Sequence, residues 1–185
     1  MTIAALDAAL THGLNALAGG GAWPDELAVA ITKGGIPLMV LAVAARWWAG
    51  ADRRRERHVA VACGLSFLGG LLLNQAVLLA VSRVRPYDAG VTHLLIDRST
   101  DPSFPSDHAT AGFAIVACLA LRRLYPRATL FGIAALAIAL SRVYVGTHYF
   151  GDILGGAATA CLAAMLVKLA YRPDTRLDRL VTGIF

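Results

Sequence analysis

Apolar blocks about as long as a bilayer is thick constrain this chain of 185 residues more than anything else in it. A helix needs roughly 20 mostly apolar residues to cross hydrocarbon, and 57% of the residues here are hydrophobic. Five spans are predicted, near Glu26 to Trp48, His58 to Ala80, Ala109 to Leu121, Ala128 to Leu140 and Gly151 to Leu169. The third and fourth are short for a crossing, so their ends should run on into flanking residues. Residues 1–22, where Asp7, His12 and Asn15 interrupt apolar positions before Gly19-Gly20-Gly21, read as an amphipathic interfacial helix. The fold class expected is all-α: a polytopic membrane bundle over 23–171, with a tail over 172–185 on the cytoplasmic side.

Arginine placement orients the bundle. Arg53, Arg54, Arg55 and Arg57 join spans one and two, and Arg122, Arg123 and Arg127 join three and four. Lys168, Arg172, Arg176 and Arg179 follow span five. With five spans these regions share one side, which the positive-inside rule makes cytoplasmic. The net charge of +5 is thus explained by membrane anchoring, and nucleic acid is not an expected partner. Cys63, Cys118 and Cys161 each fall inside an apolar block, with no disulfide framework and no zinc spacing. The start of the chain has no basic segment and no small-residue cleavage site, so no signal peptide is expected.

Three polar clusters then fall on the outer side, where Arg83, Arg85 and Arg142 run against the charge rule. Ionisable groups at a membrane boundary are costly and need partners, which makes them functional candidates. In Arg83-Val84-Arg85-Pro86, Pro86 pushes Arg85 toward extended backbone. Side chains two apart then point one way, so both arginines are expected to converge on one anion, which guanidinium forks grip well. Phe104-Pro105-Ser106-Asp107-His108 reads as a loop entering span three, with Ser106 or Asp107 as N-cap and free N–H groups that suit an anion. Ser141-Arg142, His148 and Asp152 supply an anion-binding guanidinium, a nucleophile or base, and a carboxylate that helical geometry would set one turn beyond the imidazole. Snorkelling, capping and dipole effects account for each residue singly. Together they leave three arginines, two histidines and two helix starts on one face unexplained.

Arg85-Pro86, Pro105-Ser106-Asp107-His108, and Ser141-Arg142 with five residues to His148 and three more to Asp152, resemble the type 2 phosphatidic acid phosphatase superfamily. Asp107, where many members carry glycine, resembles its bacterial undecaprenyl-diphosphate phosphatase branch. The likeness runs from about Ala51 to Leu169. One departure stands in the first motif: Leu78 occupies the position of the usual lysine, so Arg83, or second to it Lys33, is expected to supply that cation. The resemblance implies that His148 attacks phosphorus to form a phosphohistidine, Asp152 fixes its tautomer, and His108 protonates the leaving oxygen and later activates water. Arg83, Arg85, Arg142 and Ser106, with N–H groups at Asp107 and His108, would hold the phosphate. No metal or other cofactor is expected, since acidic residues are sparse in the spans and His148 is needed as a free base.

The resemblance thus implies a lipid phosphatase of the bacterial plasma membrane with an extracytoplasmic site. Its substrate would be undecaprenyl diphosphate and its setting cell-wall carrier recycling and bacitracin resistance, with membrane lipids as the other partners. Other lipid phosphates, a non-catalytic lipid-diphosphate binder or transporter, and a haloperoxidase-type oxyanion site are the alternatives. Chain-length preference and oligomeric state are not legible in the sequence.

Overall fold

Small residues decide which helix lies at the centre. Among the described residues, 2–183, the computed structural model has seven α-helices and no strand: α1 (Ile3–Asn15), α2 (Ala22–Ala45), α3 (Arg53–Leu78), α4 (Asp107–Leu121), α5 (Tyr125–Tyr144), α6 (Phe150–Ala170) and α7 (Arg176–Thr182). Helix α4 carries Ala109, Thr110, Ala111, Gly112, Ala114 and Cys118 on its buried faces, and α3, α5 and α6 all pack on it. Little apolar driving force separates helix from lipid, so close backbone approach through such residues is what joins helices there. At Gly156 of α6 a Cβ would press on the Ser106 carbonyl, Ala109 and Thr110.

Helices α3, α5 and α6, and α2 with the 3-10 turn Arg46–Trp48, are long and apolar enough to cross a membrane. Their outward faces carry exposed leucines such as Leu38, Leu72, Leu130 and Leu154. The chain is a multi-pass membrane protein. Helix α5 runs on into its motif as expected, and α4 reaches back over Asp107 and His108, where Ser106 caps it after Pro105; Arg122 and Arg123, the latter with φ 59°, end it after 15 residues. Fifteen residues span about 22 Å.

One end of the bundle is rich in arginine, and its charges are knitted together. Glu56 accepts from Arg46 at 3.0 Å and from Arg127 at 2.7 and 2.8 Å, tying the 3-10 turn that follows α2 to α3 and α5. The segment expected as a tail is helical over Arg176–Thr182 and docked at this end. Arg57 donates to the Thr182 carbonyl at 3.0 Å, while His58 and Tyr171 donate to Asp178 at 2.8 and 2.7 Å.

Helix α1 lies at the opposite end with its polar side turned inward. Ile3, Leu6 and Leu10 are exposed, whereas Asp7, Thr11 and Asn15, spaced four apart on one face, grip the protein. Gly151 N–H donates to Asp7 at 2.8 Å and Phe150 N–H to Thr11 at 3.2 Å. Asn15 donates to the carbonyls of His93 and Tyr144 and accepts from His93 N–H. The interruptions in the amphipathic pattern are thus docking residues, and the apolar face is the one left for lipid.

Candidate active site

The three motifs meet at the end that α1 covers. Ser106 caps α4, its hydroxyl accepting from Ala109 N–H, and its own N–H donates to the Asp152 carbonyl at 3.1 Å, so the second and third motifs are joined through backbone. Asp107 accepts from Asn74 of α3 at 2.7 Å. Asn74, fully buried, also donates to Thr110 and accepts from Thr159, pinning α3, α4 and α6 beneath the site. Its neighbour Gln75 is exposed.

His148 lies in the turn between α5 and α6, not on a helix. Gly146 makes that turn with φ 86°, and a Cβ there would collide with the His93 carbonyl. The expected reach of Asp152 to the imidazole arises differently from a shared helical face. Asp152 is the third residue of α6, and its carboxylate closes a capping box on Tyr149 N–H at 2.8 Å. It also accepts from the Ser103 hydroxyl and, at 2.8 Å, from Arg83. So occupied, it stands 3.4 Å from His148 Nδ1, while the Ser103 carbonyl lies nearer at 2.9 Å. A carbonyl can only accept, so Nδ1 carries the proton and Nε2 presents its lone pair. Burial pushes the His148 pKa down; Asp152 opposes this, and Arg142 and Arg85 reinforce it. A neutral imidazole with a free Nε2 is a nucleophile at neutral pH.

Arg85, 8% exposed, is clamped from behind. It donates to the carbonyls of Asp101 and Thr147 at 2.8 and 3.1 Å and to Ser99 at 3.2 Å. Arg142, equally buried, has an Nε with no acceptor among the described residues. His108, at the start of α4 beside the Thr32 carbonyl, feels Arg142, His148 and Arg85. Two guanidiniums and two imidazoles therefore face one another with no carboxylate between them, among the described residues, other than Asp152 behind His148. Such a cluster is built for an anion.

Arg83 departs from expectation. It was expected to point with Arg85 at one anion, but its two terminal nitrogens are taken by Asp152 at 2.8 Å and Asp7 at 2.7 Å, and its face lies 3.9 Å from the Tyr149 ring centre. Two carboxylates outcompete a shared anion for one guanidinium, so Arg83 stands behind Asp152. Lys33 is exposed on α2 with no ion pair among the described residues. Sequence reasoning missed Ser103, whose carbonyl sets the tautomer, and Asp7, which lies far away in the chain. No three His, Cys, Asp or Glu side chains gather to hold a metal among the described residues.

Comparison with known proteins identifies the family. Residues 59–176 match the PAP2 superfamily pattern. The chain is 34% identical over 144 residues to the undecaprenyl-diphosphatase BcrC of Bacillus subtilis, covering 77% of this chain and 72% of that one. It is 28% identical to the phosphatidylglycerophosphatase B of the same organism over 79% and 74% of the two chains. A crystal structure of a transmembrane PAP2 type phosphatidylglycerolphosphate phosphatase from Bacillus subtilis superposes with a TM-score of 0.66 at 25% identity, covering 94% of this chain and 88% of that one. More than half of the chain matches the superfamily, including every motif that meets at the site: the chain belongs to the PAP2 superfamily.

Proposed function

We propose that this membrane phosphatase removes the terminal phosphate of undecaprenyl diphosphate at the extracytoplasmic face of a bacterial plasma membrane. The observation that carries the reading is the combination of a free His148 Nε2 with the buried Arg142, whose Nε has no acceptor among the described residues. Nε2 attacks the terminal phosphorus, the bond to the bridging oxygen breaks, and protonated His108 gives its proton to the departing undecaprenyl phosphate. Water then attacks the phosphohistidine, His108 takes its proton, and the P–N bond breaks to release inorganic phosphate. Arg85, Arg142, Ser106 and the N–H groups of Asp107 and His108 steady the equatorial oxygens, each such donor being worth on the order of 3 kcal/mol. Arg83 acts one step back, by orienting Asp152.

The undecaprenyl-diphosphatase relative and Asp107 support the choice of substrate. The arginines at the other end of the bundle support the choice of side. The specific rival is phosphatidylglycerol phosphate, favoured by the second relative and the superposed structure. Phosphate release by the purified chain, from undecaprenyl diphosphate against phosphatidylglycerol phosphate and phosphatidic acid, with and without chelator, tests the reading. Fastest, chelator-resistant release from the diphosphate is expected. Preference for either monophosphate would overturn the substrate, and strict dependence on a divalent ion would overturn the mechanism.

A further inference from the structure

The end of the bundle opposite the active site holds a second place shaped for an anion. A cavity of about 550 Å³ opens there between the start of α3, the ends of α4 and α6, and α7. Arg55, Arg122 and Lys168 line it, and none has a carboxylate partner among the described residues. The carboxylates that share the cavity are already committed. Asp52 caps α3 at Arg55 N–H, Asp174 pairs with Arg54 at 3.0 Å, and Asp178 is taken by His58, Tyr171 and Asp174 N–H. Arg122 is the deepest cation. One of its terminal nitrogens rests 3.2 Å from Cys118 Sγ, and its Nε is buried with no acceptor.

The wall is rigid as well as charged. His58 stacks on Tyr171 with centroids 4.8 Å apart and rings 10° from parallel, and both donate to Asp178. Asp178 can only accept, so His58 donates through Nδ1 and Nε2 remains its uncommitted ring nitrogen. Snorkelling would explain cations spread around a helix end. It does not explain three unpaired cations converging on one cavity whose floor is built from a buried His–Asp–Tyr group.

We infer that this cavity binds the phosphate group of an anionic molecule at the membrane surface, cytoplasmic in the orientation proposed above. Basic pockets between helices on that side suit anionic lipid headgroups, and free phosphate carries the same chemistry. The inference does not depend on what the opposite end hydrolyses, because its test reads binding and not turnover. Full-length protein would be moved into nanodiscs of mixed phosphatidylglycerol and phosphatidylcholine, and retained lipid counted by native mass spectrometry. In parallel, inorganic phosphate would be titrated against thermal unfolding in detergent.

Preferential retention of phosphatidylglycerol is expected, reduced at least fivefold in the Arg55→Gln/Lys168→Gln double variant, whose positions are exposed. Arg122→Gln should reduce it further, and Arg142→Gln at the other end should leave it intact. A phosphate-dependent rise in Tm lost in the same double variant would support the site and identify its ligand as soluble phosphate. Equal retention by the double variant with no phosphate-dependent Tm change, or loss of either signal in Arg142→Gln alone, would overturn the inference.

Discussion

Asp152 serves three donors before it serves His148, and that order sets the chemistry of the site. Tyr149 N–H, the Ser103 hydroxyl and Arg83 hold the carboxylate still, and the Ser103 carbonyl accepts from the imidazole Nδ1–H. His148→Ala is therefore expected to abolish turnover while leaving lipid binding, measured as a Kd by tryptophan fluorescence, within a few fold. Arg142→Gln should lower kcat/KM by about 10²- to 10³-fold, the usual loss when one preorganised donor is removed. Burial holds His148 below the ordinary histidine value of about 6.5, so the acid limb of kcat/KM should lie well below 6.5, while loss of the His108 proton sets the alkaline limb. Stability carries the same sign. The unfolded chain takes up a proton at His148 before the folded one does, so stability declines as pH drops through about 6.5 toward the folded value. His148, His108, Arg85, Arg142 and Asp152 were legible as a set because their motif spacing is dense. Ser103 was not, because a backbone carbonyl has no signature in a sequence.

At the scale of elements, the apolar blocks announced every long helix. The orientation of α1 was not readable. Asp7, Thr11 and Asn15 fall on one stripe, but periodicity does not say whether a polar stripe meets water or protein. Their partners lie 76 to 144 positions away in the chain. Asp7→Asn should lower kcat roughly tenfold, because Arg83 loses one anchor and drags on Asp152; steady-state kinetics with Asp7→Glu as the restoring variant check this. Gly156→Val should do more damage, since a β-branched side chain pressed on the Ser106 carbonyl separates α4 from α6. A loss of about 3 kcal/mol, in the range for overpacking, should appear as a lowered Tm in detergent.

Across the whole molecule, charge is sorted by end. At one end, buried guanidiniums are kept free of carboxylates so that an anion can meet them; at the other, Glu56 and Asp178 bind α3, α5, α7 and the 3-10 turn that follows α2 together. Burial opposes ionisation of Asp178, but hydrogen bonds from Tyr171, His58 and Asp174 N–H outweigh it and hold its carboxyl below the usual carboxylate range. That contribution is complete above about pH 3.9 and is lost as pH falls through the folded value, so α7 should undock in strong acid. Limited proteolysis near residue 173 across a pH series would show it.

The clasp formed by the first helix also fixes a schedule for biosynthesis. Residues 7, 11 and 15 leave the ribosome long before positions 83, 93 and 144–151 exist for them to hold. Until the sixth helix has been inserted, the amino-terminal segment waits on the membrane surface with its docking stripe unmatched. A half-made chain thus has its early helices in place and no working centre, and catalytic competence arrives late, when the beginning of the polypeptide closes over what was made near its end.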